Sequence, residues 1–344
     1  NRTKIISAFI LLVLIICFLN IYFAIYQKGL IPTQDYNFFF SGFIKWSLLY
    51  GLTCLAALMI FFEINSFKKV FNLTVVIGII ETFLSSISMI SRGMIFNSLA
   101  LIFGIYKYFK KIGFNLSKTN FLFYIFSIII LFYISVVSVN YIRSNYFYIG
   151  KSVQDYKKTT DEVKDIKPEV KKKFNLIDSN NEFFYLAVNR WVGIDAVLAV
   201  SQNKDKLNFS LFKEALKEKF IKDQPTFYEK TFYLEETLTE SLYENAKGNT
   251  LTGIIAFLFY PGSFIFLIFG VGFLTSFGNF LEYLSYRLSE KNLIFCCLIG
   301  QIIAFRYIHF GYLPKQSYLL FGSLVATIFA VGLGMKIIKK KNNL

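Results

Sequence analysis

The chain has 344 residues, 55% hydrophobic and 17% charged, with a net charge of +15. Soluble domains carry about a quarter of their residues as charged side chains; this chain is instead rich in Phe (42) and Tyr (22), which excludes an ordinary soluble fold. A single His excludes a His-rich zinc site and HExxH, and four cysteines inside apolar runs without a CxxC argue against a disulfide framework or zinc knuckle.

Apolar runs of about twenty residues can cross a hydrocarbon core of about 30 Å. In chain order the expected spans are 5–27, 38–62, 70–90, 93–108 and 120–141, then 251–283, 293–310 and 316–335. The span 93–108 is short and follows a very short link. As a re-entrant piece it would move every later link to the other side, so it is kept as a full crossing. The chain begins Asn-Arg-Thr without Met, as a fragment or processed chain would, with room for helices upstream.

Residues 142–250 form one large loop between the two sets of spans. Its first part is polar and Lys-rich, read as a solvated helix or linker. A helix over 181–201 is expected to lie in the membrane interface, since Glu182, Arg190 and Asp195 interrupt its apolar run. Phe209, Phe212, Leu216 and Phe220 then recur at helical spacing and predict an amphipathic helix, stopped by Asp223-Gln224-Pro225. A further helix is expected over 227–245. Pro261-Gly262 interrupts the long run 251–283, so a short elbow over 251–260 should rest at the outer surface, with the crossing after the proline.

The basic residues follow this division. Between Arg143 and Lys247 there are 18 basic residues against 17 acidic; elsewhere there are 19 against 5. That excess falls in alternate links: Arg2 and Lys4; Lys68 and Lys69; Lys107, Lys110, Lys111 and Lys118; Arg287 and Lys291; and the tail from Lys336. By the positive-inside rule these are cytoplasmic, as are both termini. The charge reports topology, and no nucleic-acid partner is expected. The expected fold is an all-α integral membrane protein, a polytopic helical bundle of about eight transmembrane helices with a large extracytoplasmic helical loop. Its parts are 1–141 (five spans), 142–250 (the loop) and 251–344 (three spans and a basic tail).

This topology places Arg92, Arg143, Arg190 and Arg306 on the outer side, where basic residues should be depleted. Guanidinium forks there suit a pyrophosphate, which they bind bidentately. The alternative for each is snorkelling or pairing with a loop carboxylate. Asp195 is read as a general base or as the structural partner of an arginine, His309 as a packed or hydrogen-bonded side chain or a catalyst. Tyr260-Pro261-Gly262-Ser263 and Tyr312 are candidates to line a sugar site, and Lys315 to bind substrate. Glu81, in mid-span, is read as a structural polar contact. No Walker A, DxD or dinucleotide fingerprint occurs in the chain, so no cofactor and no metal is expected.

Ser91-Arg92-Gly93, the segment Asn189-Arg190-Trp191-Val192-Gly193, the run from Gly253 to Tyr260-Pro261-Gly262-Ser263, and Ala304-Phe305-Arg306 before Phe310-Gly311-Tyr312-Leu313-Pro314 together resemble the Wzy-like polymerases of bacterial O-antigen and exopolysaccharide repeat units. The resemblance runs over most of 70–325 on short, degenerate patterns. It implies a multi-pass protein of the bacterial inner (cytoplasmic) membrane with its large loop and active site on the periplasmic side. It implies a membrane glycosyltransferase, independent of metal, that joins polyprenyl-pyrophosphate-linked oligosaccharide repeat units into a surface polysaccharide. By that resemblance Arg92, Arg190 and Arg306 are the positions to carry over; together with the residues read above, Arg190, Asp195 and Arg306 are expected to be catalytic, and Arg92, Arg143, Tyr260, His309, Tyr312 and Lys315 to bind substrate. The partners would be the lipid-linked oligosaccharide, membrane lipid and a chain-length regulator protein. The related O-antigen ligases use a loop histidine, which this loop lacks. A flippase or other transporter of lipid-linked oligosaccharide is the alternative; it should place ionisable residues near the midplane within paired repeats, and no repeat is visible here.

Overall fold

The computed structural model describes residues 2–27, 36–67, 73–113, 118–158, 193–218, 226–233, 252–308 and 314–342. Among these no strand occurs; they form helices and the turns between them. The chain divides into two compact units, Asn1–Glu182 with Asn292–Leu298, and Phe183–Lys291 with Ile299–Leu344.

The first unit holds α1 (Arg2–Phe23), α2 (Phe38–Trp46), α3 (Leu52–Phe67), α4 (Leu73–Ser88), α5 (Phe96–Lys111) and α6 (Lys118–Lys158). A π-helical turn, Ser47–Gly51, joins α2 to α3, so the two form one apolar stretch, Phe38–Ser66. Polar contacts at the helix ends set the directions. Arg2 at the start of α1 pairs with Glu63 near the end of α3, which also accepts from Thr74 in the first turn of α4. Tyr108 near the end of α5 donates to Asn65. At the other ends of α1 and α4, Asn20 Nδ2 donates to the Ser88 carbonyl (2.8 Å) and its Oγ (3.0 Å). Thus α1 and α4 run one way, α3 and α5 the other. The basic residues Arg2, Lys107, Lys110 and Lys111 gather at one end, as expected of links facing a common side.

The second unit holds α7 (Ile194–Gln202), α8 (Phe209–Leu216), α9 (Ile254–Leu258), α10 (Phe264–Leu288), most of α11 (Leu293–Ile308) and α12 (Pro314–Asn342). Tyr307 near the end of α11 donates to the Leu274 carbonyl of α10 (3.0 Å), while earlier on α11 Gly300 lies against Glu282. Helix α11 is therefore antiparallel to α10. Leu288 packs on Gly332 and Glu290 lies 3.5 Å from Lys339, so α12 runs parallel to α10.

Among the described residues, five helices are long and apolar enough to cross a membrane: Arg2–Phe23, Phe38–Ser66, Phe121–Ile142, Phe264–Leu288 and Pro314–Lys339. Leu73–Ser88 and Leu293–Tyr307 are apolar but shorter. Helices α4 and α5, with 16 residues each, reach about 24 Å at 1.5 Å per residue and are among the shortest of the expected crossings. The turn between them is packed away, with Met89, Ile90, Ser91, Met94 and Ile95 all buried.

Several boundaries differ from the sequence reading. The apolar part of α6, Phe121–Ile142, matches the span expected over 120–141, and the helix carries on through Arg143 to Lys158, into the stretch read as a helix or linker. Of the helix expected over 181–201, residues 181–192 lie outside the described residues, and the described part is α7, from Ile194. Gly193 caps it with φ +68°, a left-handed conformation that ends helical geometry and favours glycine. Helix α8 is capped by Asn208, whose side chain accepts from Leu211 N, and ends at Leu216, before the expected proline stop. Just past its end, Glu218 Oε1 accepts from Phe227 N (2.8 Å). Of the helix expected over 227–245, the described part holds the π turn Glu229–Tyr233.

The elbow before α10 is present as α9, followed by the turn Pro261-Gly262, with Gly262 at φ +72°, and by Ser263, which caps α10 by accepting from Phe266 N. Its apolar residues pack inward. Ile254, Ala256, Phe257, Leu258 and Tyr260 form a core with Ala196 and Val200 of α7, Ala215 of α8, and Tyr228 and Phe232. Burial of apolar area against these neighbours contributes about 25 cal/mol per Å², so the elbow is the centre of a small folded module. The rings of Phe209 and Phe212 clasp Phe266 in the first turn of α10 (6.0 and 4.9 Å between centroids), which fixes the module at the N-terminal end of that helix.

Candidate functional site

In the second unit the candidate residues gather at one end. Arg306 sits in the last turn of α11, and its Nε donates to Ser317 Oγ in the first turn of α12 (2.8 Å). Ser317 is buried (1% exposed), Arg306 half-buried and Lys315 exposed. The Phe321 ring meets Tyr307 at a tilt and Phe277 edge-to-face, each pair 5.6 Å apart. The module of α7, α8 and α9 lies at this same end, because it is bound to the first turn of α10. Arg287, Lys291, Lys336 and Lys339 lie at the opposite end.

Tyr260 is placed differently from the sequence reading. It is buried (1% exposed), with its hydroxyl 3.2 Å from Thr252 Oγ1. Burial pushes its hydroxyl above the ordinary phenol range. It packs the module core and does not line an open sugar surface. Asp195 lies in the first turn of α7. Glu218, at the edge of the module, has its carboxyl raised above the usual range, chiefly by burial, against the hydrogen bond from Phe227 N.

In the first unit Arg92 lies in the packed turn between α4 and α5 and donates to Asn140 Oδ1 of α6. Its end of the unit is the one marked by Asn20 and Ser88, away from Arg2, Lys107, Lys110 and Lys111. Arg143 lies on α6, three residues after Asn140. Arg190, His309 and Tyr312 lie outside the described residues. Glu81, buried in α4, accepts from Thr53 Oγ1 (2.9 Å) and Ser85 Oγ (2.8 Å), the structural polar contact expected of it.

Three residues escaped the sequence reading. Asn140 and Ser317 hold the two arginines, yet no spacing rule marks either of them in the sequence. Lys45 was passed over inside an apolar run. Its Nζ lies 5.4 Å from the Tyr26 ring, and Tyr26 N donates to Asn20 Oδ1, so it belongs to the Arg92 end of its unit. Among the described residues no three His, Cys, Asp or Glu side chains gather as a metal-binding set. No family model, curated protein or solved structure matches the chain.

Proposed function

We propose that this chain is a polytopic membrane glycosyltransferase of the repeat-unit polymerase type. It makes eight crossings of a bacterial inner membrane, with both termini cytoplasmic and 142–250 on the periplasmic side. A growing glycan on polyprenyl pyrophosphate is the donor, and a hydroxyl of a second lipid-linked repeat unit attacks its anomeric carbon. The bond from that carbon to the pyrophosphate oxygen breaks as the glycosidic bond forms. The hydroxyl proton passes to Asp195 or another loop carboxylate.

One observation carries the reading. In each unit the described candidate arginine, Arg92 or Arg306, lies at the end away from that unit's basic cluster, held by a neighbouring helix. If the basic clusters face the cytoplasm, both guanidinium groups face the side where lipid-linked donors are polymerised. There they stabilise the negative charge that builds on the departing pyrophosphate, the electrostatic kind of catalysis. With no DxD and one His in the chain, the guanidinium forks take the role a divalent cation would otherwise have, and activity should survive a chelator.

The test is polymer length on a gel, with purified protein in liposomes and lipid-linked repeat units as substrate. Arg92→Lys and Arg306→Lys keep the charge but lose the planar fork. Each should slow polymerisation by about tenfold to a hundredfold, the equivalent of one charge-assisted hydrogen bond made in the transition state. Lys110→Gln, in the basic cluster, should be neutral. Wild-type ladders from both arginine variants, and from the corresponding alanine variants, would overturn the site. Substrate crossing the bilayer without lengthening would identify a flippase instead. Cysteines placed at Lys171 and Ser201 should react with an impermeant reagent added outside; protection of both would invert the topology.

A further inference from the structure

We infer that Lys45 binds the phosphate of a membrane lipid headgroup, at the end of the first unit that carries Arg92. The inference goes beyond the polymerase reading, since it needs only that the apolar stretch Phe38–Ser66 crosses the membrane. Lys45 is the next-to-last residue of α2, so its Cα lies about 10 Å inside the start of that stretch at 1.5 Å per residue. Helical side chains lean towards the N-terminus of their helix, and here that direction leads back to the membrane surface. The ammonium reaches the level of Tyr26, just past the end of α1, and lies 5.4 Å from the centre of its ring. An ammonium inside an apolar span is costly unless it meets an anion or a polar surface.

The surroundings hold this charge without cancelling it. Asn20, a fully buried amide, sets the Tyr26 ring: it accepts from Tyr26 N (2.7 Å), donates to Tyr26 O (3.1 Å) and also donates to Ser88 of α4. A ring face attracts an ammonium but leaves its net charge in place. Among the described residues Lys45 forms no ion pair, whereas Arg2, at the other end of the unit, is paired with the buried carboxylate of Glu63. There is also room for an anion. Gly42 lies one turn nearer the surface on the same face of α2, and a Cβ placed there would meet no atom within 4 Å. At the same end the Tyr36 ring bridges from Phe23 of α1 to Phe40 of α2, with centres 6.1 and 6.2 Å apart, and its hydroxyl donates to Phe23 O (3.0 Å). Phe23, Phe40 and Phe43 expose their rings, an apolar rim for lipid chains. A lysine meets phosphate as a point charge on a flexible stem. The chemistry that satisfies both features is an anionic phosphate joined to an apolar chain, as in a polyprenyl pyrophosphate or an anionic phospholipid.

The experiment measures equilibrium binding to the purified full chain in a neutral detergent, with geranylgeranyl pyrophosphate, phosphatidylglycerol and inorganic pyrophosphate as separate probes. The proteins are wild type, Lys45→Gln, Lys45→Arg, Arg92→Ala and Lys110→Gln. Lys45→Gln removes the charge and should weaken lipid binding about tenfold or more, the equivalent of one charge-assisted hydrogen bond. Lys45→Arg keeps the charge and should stay within about threefold of wild type; Lys110→Gln, in the basic cluster, should match wild type. Bound lipid should also raise the Tm of wild type and Lys45→Arg more than that of Lys45→Gln at the same concentration, each measured against its own lipid-free Tm. Lys45 dependence confined to geranylgeranyl pyrophosphate would assign a polyprenyl pyrophosphate, and the same dependence with phosphatidylglycerol would assign lipid phosphate in general; both support the site. Inorganic pyrophosphate binding as tightly as the lipids, with the same Lys45 dependence, would overturn the lipid assignment. Wild-type binding of both lipids by Lys45→Gln would overturn the site and leave Lys45 a snorkelling side chain. Loss of geranylgeranyl pyrophosphate binding in Arg92→Ala but not in Lys45→Gln would overturn it too, with the arginine reading left intact.

Discussion

The clasp between the loop module and α10 offers a quantitative test of how the module is held. Phe266 meets Phe212 edge-to-face at 4.9 Å and 73°, and Phe209 at 6.0 Å and 77°. Phe212 also leans on Phe257 of α9 at 5.3 Å, so the clasp is continuous with the module core. Phe266→Leu retains most of the apolar area and removes both ring pairs. Such pairs contribute about 0.5–1.5 kcal/mol each beyond area burial, giving a local loss of about 1–3 kcal/mol, and a value near 2 once the shared strain of two adjacent pairs is discounted. At about 1.4 kcal/mol per factor of ten, amide exchange by local opening of 209–216 should accelerate about thirtyfold. Peptides from 209–216 and 254–260 should respond together, whereas peptides from α4 and α5 in the other unit should not. Hydrogen exchange with mass spectrometry on the detergent-solubilised protein reads both. Unchanged protection over 209–216 would refute the clasp, and uniform acceleration throughout the chain would show a global loss of stability in place of local release.

Three further outcomes are expected. A Cβ at Gly104 would lie 2.6 Å from Ile294 Cα and 3.1 Å from Leu293 O, both backbone atoms, so Gly104→Ala should destabilise by about 1–3 kcal/mol or more; an unchanged Tm would contradict that close approach. Glu81→Gln should keep thermal stability and activity, because an amide can still pair with Thr53 and Ser85, whereas Glu81→Leu strands both hydroxyls at about 1–3 kcal/mol each; an inactive but stable Glu81→Gln would give this carboxyl a role in function. For Glu218, burial raises the folded pKa above its unfolded value, so the folded module binds more protons than the unfolded one. Its contribution is then full below the ordinary glutamate range and is lost as pH rises through the raised value. Exchange over 226–233 should therefore quicken as pH climbs from about 4 beyond the intrinsic rate change, and Glu218→Gln should abolish that excess; an identical profile for the variant would refute it.

Composition and charge alone determined the broad class of this protein. An apolar run as long as Arg2–Phe23 or Phe264–Leu288 must bury or face lipid along its whole length, and hydropathy adds residue by residue, with no knowledge of neighbours. The break at Pro261-Gly262 was legible for the same reason, since proline and glycine act on their own backbone. Helix ends and partners were not legible in this way. Whether α8 runs on past Leu216 depends on Glu218 meeting Phe227, and whether Tyr260 lines a surface or fills a core depends on α7 and Phe232 packing around it. The arginines could be chosen from the sequence because charge in an apolar context is costly and therefore visible. Their anchors, Asn140 and Ser317, could not, since a lone amide or hydroxyl in a helix acquires meaning only when the fold brings a guanidinium against it.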